Sequence, residues 1–271
     1  PLYSSAASDV YKRQIPDGVT NMLKIVILGT ATNIPDADHE NTHMVLISDD
    51  RMVLIDGPGN PYSRLLQAGL DPENLTDLVL THYHPDHVSG IPLLLMAMGL
   101  KGRTAPLAIH ANQHCTDRLL RSFEDFEWDK WHDFPVDIQI LPEKEMHLCI
   151  EAPGFRLLTS PVKHFIPAVG VRIEPEDGRI ASYSGDTAPT ESLDRLTHGA
   201  QILIHEAAGA SAGHSSAGQA GEAAARTNVD ILYLVHYPVG GYDQSILVEA
   251  AEAAFDGEVI IARSFEEIIL A

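Results

Sequence analysis

The chain has 271 residues, 45% of them hydrophobic and 21% charged, which is enough for one large domain with a substantial buried core and argues against a fibrous or disordered class. Its 38 acidic residues against 18 basic ones give a formal charge of -20, a field that repels phosphate and opposes strong nucleic-acid binding or attachment to anionic membranes. Cys115 and Cys149 form neither a disulfide framework nor a Cys-x-x-Cys pair, and no apolar run approaches the ~20 residues of a membrane span, so a cytoplasmic protein with no membrane partner is expected.

Residues 1–14, PLYSSAASDVYKRQ, have neither the apolar segment of a secretion signal nor an amphipathic period. Residues 1–21 are therefore read as a non-native or disordered leader, and 22–271 as a single domain. Short aliphatic and β-branched runs at 23–28, 44–47 and 52–55, separated by Gly, Pro, Asp and Asn, predict successive strands. A helix follows at 61–68, stopped by Gly69. A strand at 78–80 then runs straight into THYHPDH, and 88–98 reads as a helix. Further strands are predicted at 107–110, 155–158, 169–173, 180–183, 202–205, 231–235 and 259–261, with helices at 114–126, 191–196, 217–226 and 245–254. Strands interleaved with helices, without linker or repeat, give an α/β chain whose helices pack outside its sheets.

Nearly every unusual His or Asp lies just after a predicted strand: His82, His84, Asp86 and His87 after Leu80, then His164, Asp186 and His236. Strand ends on one edge of a sheet are neighbours in space, so these groups can converge on a metal ion. A single histidine in such a place usually only packs, but His-x-His-x-Asp-His puts four ligands in one loop stiffened by Pro85. Imidazole and carboxylate ligands without cysteine suit zinc, manganese or iron. His39, His43, His110, His114, His132, His147 and His198 lack such company and are read as structural or solvated. Tyr83, Phe165, Tyr237 and Tyr242 flank the ligand loops and are read as packing residues before pocket residues.

THYHPDH, with Asp56 closing LIDG upstream and Asp186 in YSGDT downstream, resembles the metallo-β-lactamase superfamily over essentially residues 23–271. The resemblance implies a four-layer αββα sandwich with two divalent metal ions, zinc by default, at one edge of its sheets. It implies His82, His84 and His164 at one ion, Asp86, His87 and His236 at the other, and Asp186 bridging. Asp56 would orient the histidine loop from behind, because metal ligands need outer hydrogen bonds to fix their tautomers. A homodimer is expected from the family alone. LIHEAAG followed by GHSS, together with GVRI, is similar to the ribonuclease Z-like branch, in which His214 backed by Glu206 would reach the leaving oxygen. His205 beside them is read as packing.

These roles imply hydrolysis by a metal-activated bridging water that Asp86 orients, with His214 and Glu206 assisting departure of the leaving group. Between His164 and Asp186 there is room only for a strand, a turn and a strand, where nucleases of that branch resemble one another in carrying a long transfer-RNA-binding arm. The expected substrate is accordingly a small ester, first of all a compact phosphodiester. An arylsulfatase, or a thioester or lactone hydrolase, is the alternative. A transfer-RNA endonuclease and a non-enzymatic metal-binding protein rank lower.

Overall fold

The aliphatic runs become strands because β-branched and aliphatic side chains pack on pleated surfaces, and the Gly, Asp and Asn residues between them turn the chain. The computed structural model describes residues 22–130 and 134–271, so the expected leader and His132 lie outside the described residues. The strands are β1 Lys24–Gly29, β2 His43–Ile47, β3 Met52–Ile55, β4 Asp77–Leu80, β5 Leu107–Asn112, β6 Val136–Leu141, β7 His147–Ala152, β8 Phe155–Val162, β9 Ala168–Pro175, β10 Ala181–Tyr183, β11 Ile202–Glu206, β12 Ile231–Val235, β13 Glu258–Ile261 and β14 Glu267–Ile269. The helices are α1 Pro61–Gln67, α2 Pro85–Val88, α3 Ile91–Leu100, α4 Gln113–Asp125, α5 Glu191–Thr197, α6 Ala217–Thr227 and α7 Ser245–Glu252.

Two seven-stranded mixed sheets result, ordered β14-β1-β2-β3-β4-β5-β6 and β13-β12-β11-β10-β9-β8-β7. Strand alternation divides each sheet's side chains between two cores. Ile25, Ile27, Leu46, Val53, Ile55 and Val79 face Leu157, Val171, Ile173, Ile202, Ile204 and Val235 across the inner layer. Val26, Leu54, Leu78 and Ile109 point the other way, against Leu65, Leu94, Leu95, Met98, Leu119 and Phe123 of α1, α3 and α4. On the far side Leu203, Leu232 and Leu234 meet Ala220, Ala224, Leu247 and Ala251 of α6 and α7. Helices outside, sheets inside: the architecture is the expected αββα sandwich. No helix among the described residues is long and apolar enough to cross a membrane.

The expected helix at 88–98 is α3, which starts later, at Ile91, and is preceded by a separate short helix, α2, that was not expected. Helix α2 stops at Ser89 and Gly90, where Gly90 N–H donates to Gly57 O and a Cβ would collide with Pro61 and the Gly59 carbonyl. Helix α3 begins at Ile91 with Pro92 in its first turn, where the missing N–H costs nothing. Three strands were not expected, β6, β7 and β14, and each is the edge of a sheet. Their partly or wholly exposed side chains dilute the hydrophobic signal that marks central strands.

Candidate metal centre

Strands β3, β4, β5 and β6 run parallel, as do β10, β11, β12 and β13, while β8 joins β10 through the antiparallel β9 and so points the same way as β10. Their carboxyl ends deliver Asp56, His82, His164, Asp186, Glu206 and His236 to one edge of the sandwich. A backbone hydrogen bond from Val169 N–H to Thr81 O, 3.0 Å, ties the two sheets together there. Asp56 and His236 both take positive φ, 60° and 50°, a conformation that non-glycine residues seldom adopt and that concentrates at functional sites.

The first cluster is three histidine nitrogens. His82 Nε2 and His164 Nε2 each lie 3.0 Å from His84 Nδ1. The opposite nitrogens of the outer two rings are already committed, His82 Nδ1 beside Thr81 Oγ1 at 3.1 Å and His164 Nδ1 donating to Gly213 O at 2.7 Å. Lone pairs therefore converge, and His84 has one proton at most with which to satisfy them as a neutral ring. Burial pushes the pKa values of His82, His84 and His164 down, which favours the neutral imidazole a cation needs.

The second cluster places Asp86, His87, Asp186 and His236 within 4.8 Å of one another. Asp186 Oδ2 is 3.4 Å from His87 Nε2, 3.5 Å from His236 Nε2 and 3.7 Å from His82 Nε2, so it faces both clusters. Asp86 Oδ2 lies 3.4 Å from His236 Nε2 and 3.7 Å from His87 Nε2. Asp56 holds this arrangement from behind: its Oδ2 accepts from His87 Nδ1 and from Thr81 Oγ1, each at 2.8 Å, and its Oδ1 accepts from Thr81 N–H. One carboxylate thus fixes His87 directly and His82 through Thr81. Burial would raise the Asp186 pKa, but the His236 and His87 rings beside it outweigh burial and hold it well below the usual carboxylate range.

His87 Nε2, Asp186 Oδ1 and His236 Nδ1 are buried without a hydrogen-bond partner. Unpaired buried polar atoms are expensive, and a divalent cation held in this cluster would relieve His87 Nε2, the one of the three that faces the carboxylates of Asp86 and Asp186. The donor set fits zinc, manganese or iron.

Beside the clusters, Glu206 is fully buried and its carboxylate accepts from Thr187 N–H at 2.7 Å, Ala208 N–H at 3.2 Å and His214 Nδ1 at 3.0 Å. Burial alone would lower the His214 pKa, yet Glu206 and Asp186 together raise it, so the ring is held toward its protonated form. Ser216 caps α6 in a reciprocal pair with Gln219, which fixes the loop carrying His214.

A cleft of about 750 Å³ opens over these groups. Every residue expected at the metals and at the leaving group is brought to it or lies directly beneath it. Phe165 lines it and is exposed, whereas Tyr237 is buried, with its hydroxyl donating to Ala262 O at 2.6 Å. Tyr83 is also tied away from the cleft, donating to Arg118 O. His205 packs as expected, buried with Nδ1 2.8 Å from the Glu206 carbonyl. His39 and His110 have partners that the sequence did not reveal, Asp36 and Asp77, at 2.8 and 2.9 Å. Thr81, Thr187 and Gly213 were not singled out although each sits inside a motif that was, THYHPDH, GDT and GHSS. Thr32, Asn33 and the small residues Ala208 to Ser211, which also line the cleft, carry no sequence signal of their own.

The beta-lactamase superfamily domain model matches residues 51–237. The ribonuclease Z of Methanothermobacter thermautotrophicus is 26% identical, across 86% of this chain and 92% of the relative. That of Pyrobaculum neutrophilum is 32% identical, across 79% of this chain and 86% of the relative. Among solved structures, the metallo-beta-lactamase fold protein YhfI of Bacillus subtilis superposes with a TM-score of 0.78 at 23% identity, covering 92% of this chain and 100% of YhfI.

Proposed function

The chain belongs to the metallo-β-lactamase superfamily and is ribonuclease Z-like, and on that premise we propose that it is a dinuclear metal-dependent hydrolase of a small phosphodiester. The observation that carries the reading is the placing of a carboxylate-backed histidine, His214, against a complete pair of donor clusters at the mouth of one cleft. His82, His84 and His164 would hold one divalent ion, Asp86, His87 and His236 a second, and Asp186 would serve both. Bound there, the ions would supply Lewis acidity to a phosphoryl oxygen and lower the pKa of a water molecule toward neutrality.

The chain's own groups do the rest. Asp86, the most exposed of the four groups in its cluster, would accept a hydrogen bond from the attacking water and aim it into the cleft. Asp56 keeps His87 and His82 in the tautomers that turn their lone pairs inward. Glu206, itself pinned by two backbone N–H groups, keeps His214 Nδ1 protonated and leaves Nε2 to donate to the departing oxygen.

The curated relatives are ribonucleases, which favours phosphodiester over sulfate or thioester chemistry. Two features favour a small substrate over an RNA. β9 and β10 are joined by residues 176–180 alone, which leaves no place for an RNA-gripping arm, and the described residues lining the cleft include neither Lys nor Arg. Polyanions pay for that absence in a chain of formal charge -20.

The test is hydrolysis by purified, metal-analysed protein of bis(p-nitrophenyl) phosphate, p-nitrophenyl sulfate and a transfer-RNA precursor with a 3′ trailer. Turnover of the diester without the sulfate or the RNA is expected. Cleavage of the precursor at higher kcat/KM than the small diester would make the protein a processing nuclease, and reaction of neither phosphodiester would move thioesters and lactones to the front.

A further inference from the structure

Phe165 follows His164 directly and stands at the cleft with 59% of its surface exposed. One exposed aromatic is ordinary on a protein surface, and exposure alone would mean nothing. This ring, however, is seated. It meets the His164 ring edge-on at 5.2 Å between centroids and the His214 ring at 5.8 Å. Gly213 presses against it so closely that a Cβ there would lie 2.6 Å from Phe165 Cδ2 and 3.0 Å from His164 Nδ1. The same Gly213 carbonyl accepts from His164 Nδ1, so the glycine that props the phenyl ring also orients a residue of the first histidine cluster. A rigid aromatic surface is thereby offered to the cleft, with little ordering entropy left to lose on binding.

The rest of the lining says what that surface is for. Ala208, Gly209, Ala210 and Ser211 line the cleft with small side chains, and the described lining offers no guanidinium or ammonium to a second phosphate. A substituent on the reacting ester can therefore gain most by being flat, uncharged and polarisable. Resting on the phosphodiesterase reading for the reacting group only, we propose that Phe165 is the specificity-determining residue of the cleft, a stacking platform for a planar uncharged ring such as a nucleobase carried by a compact phosphoester.

The test separates the platform from the chemistry. Calorimetric titration of the metal-loaded protein with adenosine 5′-monophosphate and with methyl β-D-ribofuranoside 5-phosphate compares two ligands that share the ribose phosphate and differ in the group at C1, a base or a methoxy. Base stacking on an aromatic predicts roughly tenfold tighter binding of the nucleotide. Phe165→Ala and Phe165→Leu should bring the two affinities together, and Phe165→Trp should keep them apart. Equal affinities in the unaltered protein overturn the platform, as does a ratio unchanged in Phe165→Ala or a parallel loss of both ligands, which would make the ring a mere support for His164. Turnover of 2′,3′-cyclic AMP and of glycerol 1,2-cyclic phosphate is measured alongside. If neither reacts while the binding ratio behaves as stated, the platform stands and the phosphodiesterase reading falls.

Discussion

The floor of the cleft and its wall are built by opposite means. The floor consists of side chains leaving strand ends, and four of them, His82, His87, Asp186 and His236, are buried and meet partners drawn from both sheets. The wall consists of the loop after β11, where Ala208 to Ser211 are small, His214 is half-buried and Phe165 leans in from the chain that follows β8. A floor held by two packed sheets cannot shift without opening the core, so it suits a fixed task common to many substrates. A wall made of a loop can change without cost to the sandwich, so the proposed substrate choice would reside there.

Substitutions on the two sides should therefore fail differently. Asp186→Ala strikes the floor at the group facing both clusters, and kcat/KM should fall by about 10³-fold or more if, as proposed, both ions lose a ligand. Metal analysis should show fewer than two ions per chain. Activity surviving with two ions bound would remove Asp186 from the centre. His214→Ala strikes the wall, and the expectation is a loss of about 10²–10³-fold in kcat with the metal content untouched. If His214→Ala also sheds metal, the division between floor and wall is false at this residue.

Asp56→Asn sharpens the comparison from beneath the floor. Asparagine tolerates the left-handed conformation that Asp56 adopts at φ 60°, so the variant tests the carboxylate without adding backbone strain. It should weaken metal binding by about 10–100-fold, the usual effect of losing an outer hydrogen-bonding group, and leave substrate preference unchanged. A change in preference with full metal affinity would mean that Asp56 acts on the wall instead.

The same division explains what could be foreseen from the sequence. The floor was legible because four of its residues fall in six consecutive positions and the others each follow an aliphatic run, so chemistry and fold mark the same places. The inner strands were legible for the same reason, being buried on both faces. Edge strands β6, β7 and β14 were not, since a strand with one neighbour keeps side chains in water and loses the hydrophobic pattern that announces it. The Ser89–Gly90 break between α2 and α3 depends on how closely residues 57–59 approach, a tertiary fact. Phe165 fits neither pattern: its role depends on Gly213, 48 positions away, and no local feature could have told a propped ring from a packed one.

The smallest effect concerns the point where site and core are one residue apart. On β11, Glu206 backs His214 of the wall, while His205 shares the opposite strand face with Leu203 beneath the outer helices. Burial drives the His205 pKa down to about 4 from its ordinary 6.5. The unfolded chain takes up that proton near pH 6.5 and the folded one only near pH 4, so between these values the unfolded state binds more protons and stability rises with pH. The contribution is complete above pH 6.5 and is lost as pH falls toward 4, at about 1.4 kcal/mol per pH unit. The buried His43 shifts in the same direction and the buried His87 in the opposite one, so the useful quantity is a difference. In urea unfolding of chelator-treated protein between pH 6 and pH 5, the slope of stability against pH should be about 1.4 kcal/mol per unit steeper than in His205→Asn. Equal slopes would mean that His205 reaches water or an acid partner, and that the alternation of β11 does not insulate the helical layer from the cleft.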